Sequence, residues 1–186
     1  HKGNTGQEEV IYFYYFQDEK VYLSPIQDKL ILGVEKGAQH KPQLQKLLDA
    51  YKLTLVNSGA LGTKHLLVET RREQSQKSLF RLIRKLSAEP GIKYAYPWFK
   101  TLSDNSAVIV PTNEILFAPK AGIDKQSLNQ IIEGFDLRLD KDLAYGNFVL
   151  HIDGHDNHHV WDIANKLYET GKVEYAYPNF LSATAY

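Results

Sequence analysis

The sequence predicts an α+β protein made of two tandem β-α-β-β-α-β units behind a short aromatic β-hairpin. Three observations carry this reading. The first is a repeated segment. Ile92 to Phe99 reads IKYAYPWF and Val173 to Phe180 reads VEYAYPNF, so Tyr94, Ala95, Tyr96, Pro97 and Phe99 return 81 residues later as Tyr175, Ala176, Tyr177, Pro178 and Phe180. The second is the stripe ahead of each copy: Leu79, Leu82, Ile83 and Leu86 are matched 81 residues on by Val160, Ile163, Ala164 and Leu167. The third is an earlier stripe, Leu44, Leu47, Leu48 and Tyr51, repeated 84 residues on as Leu128, Ile131, Ile132 and Phe135. Side chains at i, i+3, i+4 and i+7 share one helix face, which has to be buried against something. Two helices and a strand matched in order and phase mark an internal duplication.

Each element has its own signal. His1 to Glu9 is polar. Val10 to Phe16 (VIYFYYF) is dense in strand formers, Gln17 to Lys20 suits a hairpin turn, and Val21 to Leu23 returns before Pro25 closes the hairpin. Such a hairpin is sticky when bare, so it is expected to cap a sheet edge of the first repeat. The first repeat then reads as strand Lys29 to Val34, the helix carrying Leu44 to Tyr51, strand Leu53 to Val56, and a glycine-bearing turn Asn57 to Gly62. Strand His65 to Glu69, a helix from about Gln74 to Leu86, the Pro90-Gly91 turn and the first YAYP strand complete it. The second repeat reads as strand Asn113 to Ala118, helix Asp124 to Phe135, strand Leu137 to Leu139, turn Ala144 to Gly146, strand Phe148 to Ile152, helix Asn157 to Tyr168 and strand Val173 to Tyr177. Asp124 and Asp156 stand where N-caps belong. Proline stops each YAYP strand because it has no N–H for a ladder.

The boundaries follow as residues 1–25 for the hairpin extension, 26–102 for the first module and 103–186 for the second, with Leu102 to Ala107 a short polar linker. In each module both helices are expected on one face of a four-stranded antiparallel sheet. This is the ferredoxin-like arrangement, and it leaves the other face free for a partner.

Composition excludes several functions. Lys+Arg and Asp+Glu are 22 each, so no net field favours nucleic acid or an anionic membrane. No apolar run approaches the roughly 18 residues of a membrane helix. With no cysteine, disulfides, thiolate metal sites and thiol nucleophiles are absent. There is no Gly-x-Ser-x-Gly and no phosphate-binding glycine loop; Ser58 to Gly62 lies between two strands and reads as a hairpin turn. Nothing supplies a nucleophile with its base, so the chain is expected to be non-catalytic and free of cofactors. His151, Asp153, His155, Asp156, His158 and His159 are the one metal-like cluster. His158 and His159 are adjacent at a helix start and point about 100° apart, which suits a solvated, helix-capping loop better than a metal site. The exposed tyrosines suit an interface as well as a strand.

The final strand carries a resemblance. Gly171 to Phe180, GKVEYAYPNF, resembles the end of the propeptide of subtilisin-like serine proteases, where the strand reads V-x-Y-A-x-P-N-[YF]. Tyr177 stands where that family commonly has Glu, and the first copy has Trp98 in place of Asn179. The likeness extends over about residues 26 to 182, and the aromatic hairpin is similar to those of secreted bacterial subtilases. The resemblance implies a secreted, periplasmic or cell-surface prosegment, its signal peptide removed, that acts in cis as folding chaperone and product-like inhibitor of the catalytic domain. Its sheet face would pack on protease helices and its tail would lie in the active-site cleft. The implied contact residues are Tyr175, Tyr177, Pro178, Asn179, Phe180, Ala183, Thr184, Ala185 and Tyr186. If processing follows Tyr186, Ala183 is P4 and Tyr186 is P1. A stand-alone interaction module, or a protease inhibitor acting in trans, is the competing expectation.

Overall fold

The computed structural model describes residues 10–38, 41–57, 64–103, 106–143, 146–152 and 159–182. Gln17 and Asp18 both take positive φ, 48° and 63°, which is the geometry of a two-residue hairpin turn matched to strand twist. It joins β1 (Tyr12–Phe16) to β2 (Glu19–Val34) from the pair Phe16↔Glu19 onward. The chain continues through α1 (Pro42–Ala50), β3 (Leu53–Asn57), β4 (His65–Thr70), α2 (Gln76–Ser87) and β5 (Ile92–Thr101). It ends with β6 (Val108–Pro119), α3 (Lys125–Gly134), β7 (Leu137–Leu143), β8 (Asn147–Ile152), α4 (Val160–Glu169) and β9 (Val173–Ser182). Ser75 and Asp124 cap α2 and α3, each side-chain oxygen accepting from the backbone N–H three residues on, at 3.2 and 2.7 Å.

The expectation of two separate four-stranded modules is overturned. The nine strands form one antiparallel sheet in the order β3-β4-β2-β5-β6-β8-β7, with β1 also paired to β2 and β9 also paired to β6. The halves are fused by the pairs Phe99↔Ile109 and Lys100↔Val108. The physical reason lies in two strands that run further than their prolines suggest. Pro25 does not end its strand; it sits in the ladder opposite Phe99, ahead of a register shift between Pro25 and Leu30. Pro111 does the same in β6, with a shift between Pro111 and Ile115. A bulge is where a sheet tolerates a missing N–H. Each long strand therefore holds two successive neighbours on one edge, β1 then β4 along β2, and β5 then β8 along β6.

The duplication survives as matched registers. Leu30↔Pro97, Ile31↔Tyr96, Leu32↔Ala95 and Gly33↔Tyr94 recur as Ile115↔Pro178, Leu116↔Tyr177, Phe117↔Ala176 and Ala118↔Tyr175. One buried cluster gathers Leu30, Leu32, Leu66 and Val68 with Leu44 and Leu48 of α1 and Leu79, Ile83 and Leu86 of α2. The other joins Ile115, Phe117, Leu150 and Ala176 to Ile131 and Ile132 of α3 and to Val160, Trp161, Ile163, Ala164 and Leu167 of α4. That second cluster also takes in Ile31, Leu67, Tyr94, Tyr96, Trp98 and Phe99 from the first half and Tyr12 from the hairpin. The hairpin thus does more than cap an edge. Its Phe13 carbonyl accepts from Asn165 Nδ2 of α4 at 2.8 Å, closing an otherwise open strand edge. Matched stripe positions are not equally covered: Ile131 is buried and Leu47 half-buried.

A half-open tyrosine face and its buried duplicate

Cross-strand partners project to the same side of a sheet, so register alone assigns faces. In the first half, Ile31, Gly33, His65, Leu67, Tyr94 and Tyr96 share the side away from Leu30, Leu32, Leu66 and Val68. Tyr94 lies across Gly33, where an added Cβ would stand 2.0 Å from ring atom Cε1. Its hydroxyl reaches His65 Nδ1 at 2.6 Å. Tyr96 stacks beside it at 5.2 Å between ring centroids, and its own far side meets Trp161 edge-on at 5.5 Å. The Val160 amide hydrogen-bonds the Tyr96 hydroxyl. This face is sealed by the second half, with Tyr94 and Tyr96 only 7% and 6% exposed. Burial accordingly pushes both phenols well up from their ordinary value.

The second copy repeats the geometry without the seal. Leu116, Ala118, Asn147, Val149, Tyr175 and Tyr177 take the places of Ile31, Gly33, His65, Leu67, Tyr94 and Tyr96. Tyr175 and Tyr177 lie side by side at 5.3 Å, and the Tyr175 hydroxyl donates to Asn147 Oδ1 at 2.5 Å. Ala118 and Val149 between them are buried, but Leu116, Asn147 and both tyrosines remain half-buried. Phe16 of the hairpin reaches Tyr177 at 5.7 Å, and Tyr14 meets Phe180 at 4.9 Å.

A polar network borders this face where β6 leaves β5 for β8. Asn179 Nδ2 donates to Glu114 Oε2 at 2.8 Å, Thr112 Oγ1 donates to the Asn179 carbonyl at 2.8 Å, and Asn113 Nδ2 lies 3.1 Å from His151 Nε2. Thr112 and Asn113 are buried and so need these partners. Glu114 also acts on the first half, raising the proton affinity of His65 against a larger lowering by burial, to which Lys64 adds.

The residues implicated by the final-strand motif therefore split. Tyr175, Tyr177, Asn179 and Phe180 are half-buried and already engaged inside the protein, and Pro178 is buried in the ladder opposite Ile115. Ala183, Thr184, Ala185 and Tyr186 lie outside the described residues, as do His155 and His158. His151 is part of the polar network, and His159 stacks on Trp161 at 4.6 Å. Among the described residues no three His, Asp or Glu gather as a metal site. Helix α4 begins at Val160 with His159 as N-cap, later than the expected start at Asn157, and Asp156 too falls outside the described residues. Sequence reasoning missed Leu116, Val149 and Asn147, whose signal was the period-2 alternation of β6 and β8 read against the duplicate strands. Among the described residues no helix is long and apolar enough to cross a membrane. Comparison with protein-family models, curated proteins and solved structures finds no match to this chain.

Proposed function

We propose that this chain is a non-catalytic binding segment that inhibits a subtilisin-like protease and assists its folding, using the half-open face around Tyr175 and Tyr177 and the tail after β9. The observation that carries it is the contrast between duplicates. The same tyrosine pair is sealed in one copy and half-open in the other, beside the strand whose VEYAYPNF resembles a protease propeptide. A face of aromatic and aliphatic side chains bordered by a satisfied polar network suits a protein partner. An extended tail leaving a sheet adds affinity by pairing its backbone with a strand edge of the partner, while pockets choose its side chains. A partner that binds only the folded protease would stabilise it by mass action. In this reading the chain works outside the cytoplasm, in cis with its protease.

The strand does not stop at Tyr177. It runs to Ser182, with Leu181 opposite Val110 and Ser182 opposite Ile109, so a truncation meant to spare the fold starts at Ala183. The test is inhibition of a subtilisin-type protease by the full chain and by the chain lacking residues 183–186. The full chain is expected to inhibit with no turnover of its own, and the truncation to weaken inhibition about a hundredfold or more. Unaltered inhibition after truncation removes the tail from the reading, and no inhibition by the full chain overturns the reading itself. A stand-alone interaction module is favoured by a different observation, the exposed Val10, Ile11, Phe16 and Tyr22 of the hairpin.

A further inference from the structure

We propose that the two halves part along the aromatic seam between them, and that the N-terminal hairpin is the strap that holds this seam shut. The ladder joining the halves is short, since Phe99↔Ile109 and Lys100↔Val108 are its pairs. Beyond it the Thr101 amide donates to the Ala107 carbonyl at 2.9 Å and the Val160 amide to the Tyr96 hydroxyl. The seam otherwise rests on side-chain packing centred on Trp161 against Tyr96, Phe99 and Tyr12 at 5.5, 4.9 and 6.1 Å. Aromatic contacts at these distances are favourable, but some of the polar atoms buried with them are not satisfied. Among the described residues, the buried side-chain polar atoms without a hydrogen-bond partner are Trp98 Nε1, Trp161 Nε1 and Asn165 Oδ1. Trp98 and Trp161 belong to the cluster that joins the halves, and Asn165 sits on α4 beneath the hairpin. A buried donor or acceptor without a partner keeps its desolvation penalty, which opening relieves by admitting water. The unsatisfied atoms are therefore concentrated where the halves meet.

The strap is the hairpin. Tyr15 stacks on Tyr168 at 4.3 Å, its hydroxyl donates to Glu169 Oε1 at 3.0 Å, and the Tyr168 hydroxyl donates to Asp18. With Asn165 on the Phe13 carbonyl and Tyr14 on Phe180, strand β1 is tied to both α4 and β9 by residues roughly 150 positions away in sequence. No ladder joins β1 to β9 among the described residues, so each of these ties from the strap to the second half runs through a side chain. Opening would uncover Ile31, Leu67, Tyr94 and Tyr96, the duplicate of the half-open face. The seam is thus the cover of a second, latent face of the same composition; that this face takes the same partner rests on the function proposed above, whereas the opening itself does not.

Both tryptophans of the chain lie in the seam, so their fluorescence reports it directly. Urea titrations of the full chain, followed in parallel by tryptophan emission and by hydrogen exchange of α2 and α4, test the opening without any protease. The expected result is a red shift of emission, with exposure of the α4 amides, at urea concentrations that leave the α2 amides protected. Tyr168→Ala removes the stack and the bond to Asp18. It should make seam opening about tenfold more frequent while leaving exchange in α2 unchanged. Coincident transitions for all probes in the wild-type chain, or a Tyr168→Ala effect spread equally over α2 and α4, would overturn the proposal.

Discussion

His65 shows how one side chain records its surroundings. Its ring is half-buried and its Nδ1 lies within hydrogen-bond reach of the Tyr94 hydroxyl, a contact in which the tautomer decides which group donates. Burial holds its pKa below the ordinary 6.5, with Lys64 acting the same way and Glu114 opposing both. The sign of the pH dependence follows. Between the lowered folded value and 6.5 the unfolded chain binds more protons than the folded one, so stability rises with pH across that window. The contribution is fully present above 6.5 and is lost as pH falls toward the folded value. Urea midpoints measured from pH 8 to pH 5 should therefore decline in the wild-type chain more than in His65→Asn, which carries the residue found at the duplicate position. Equal declines in the two chains would show that His65 does not set this dependence.

At the scale of elements, the helices were the legible part and the strand lengths were not. The stripes Leu79 to Leu86 and Leu128 to Phe135 predicted α2 and α3 because a helix carries its burial signal in four side chains at fixed spacing. Strand ends carry less. Pro25, Pro97 and Pro178 argue for a stop, yet each lies inside a continuing strand, and the run of β5 past Pro97 to Thr101 reaches β6 and fuses the sheet. Of the candidate face, Tyr175 and Tyr177 were visible from the repeat, whereas which side of the strand was covered depended on packing between halves. The strands also explain a difference between the copies. Gly33 sits under the ring of Tyr94, while Ala118 occupies the duplicate position beside Tyr175. Gly33→Ala forces a methyl into a ring that the His65 bond holds in place, and overpacking of this kind costs about 1–3 kcal/mol. In urea unfolding the single variant should lose stability in that range, and the double variant Gly33→Ala/His65→Asn, which recreates the second copy, should recover part of it. A double variant no more stable than the single would mean that the partner at position 65 does not set how Tyr94 accommodates the methyl.

At the scale of the whole molecule, the merged sheet changes what counts as a folding unit. The residue range 26–102 contains a buried helix-facing cluster of its own, from Leu30 and Leu32 to Leu79 and Ile83. Its opposite side is different. Ile31 and Leu67 are fully buried, Tyr94, Tyr96 and Trp98 are at most 7% exposed, and all five share a cluster with the second half. Full burial of a large apolar side chain contributes about 1.5–3 kcal/mol, and these five owe part of theirs to the second half, so uncovering them forfeits a share of the stability rather than all of it. It also exposes a contiguous aromatic patch, the kind of surface that drives association. Residues 26–102 produced alone should accordingly be less stable than the same elements within the full chain and should self-associate, as read by light scattering and by urea unfolding at several protein concentrations. A monomeric fragment with the full chain's protection in α1, α2 and β4 would mean that the two halves are independent after all, and that the aromatic seam adds nothing to their folding.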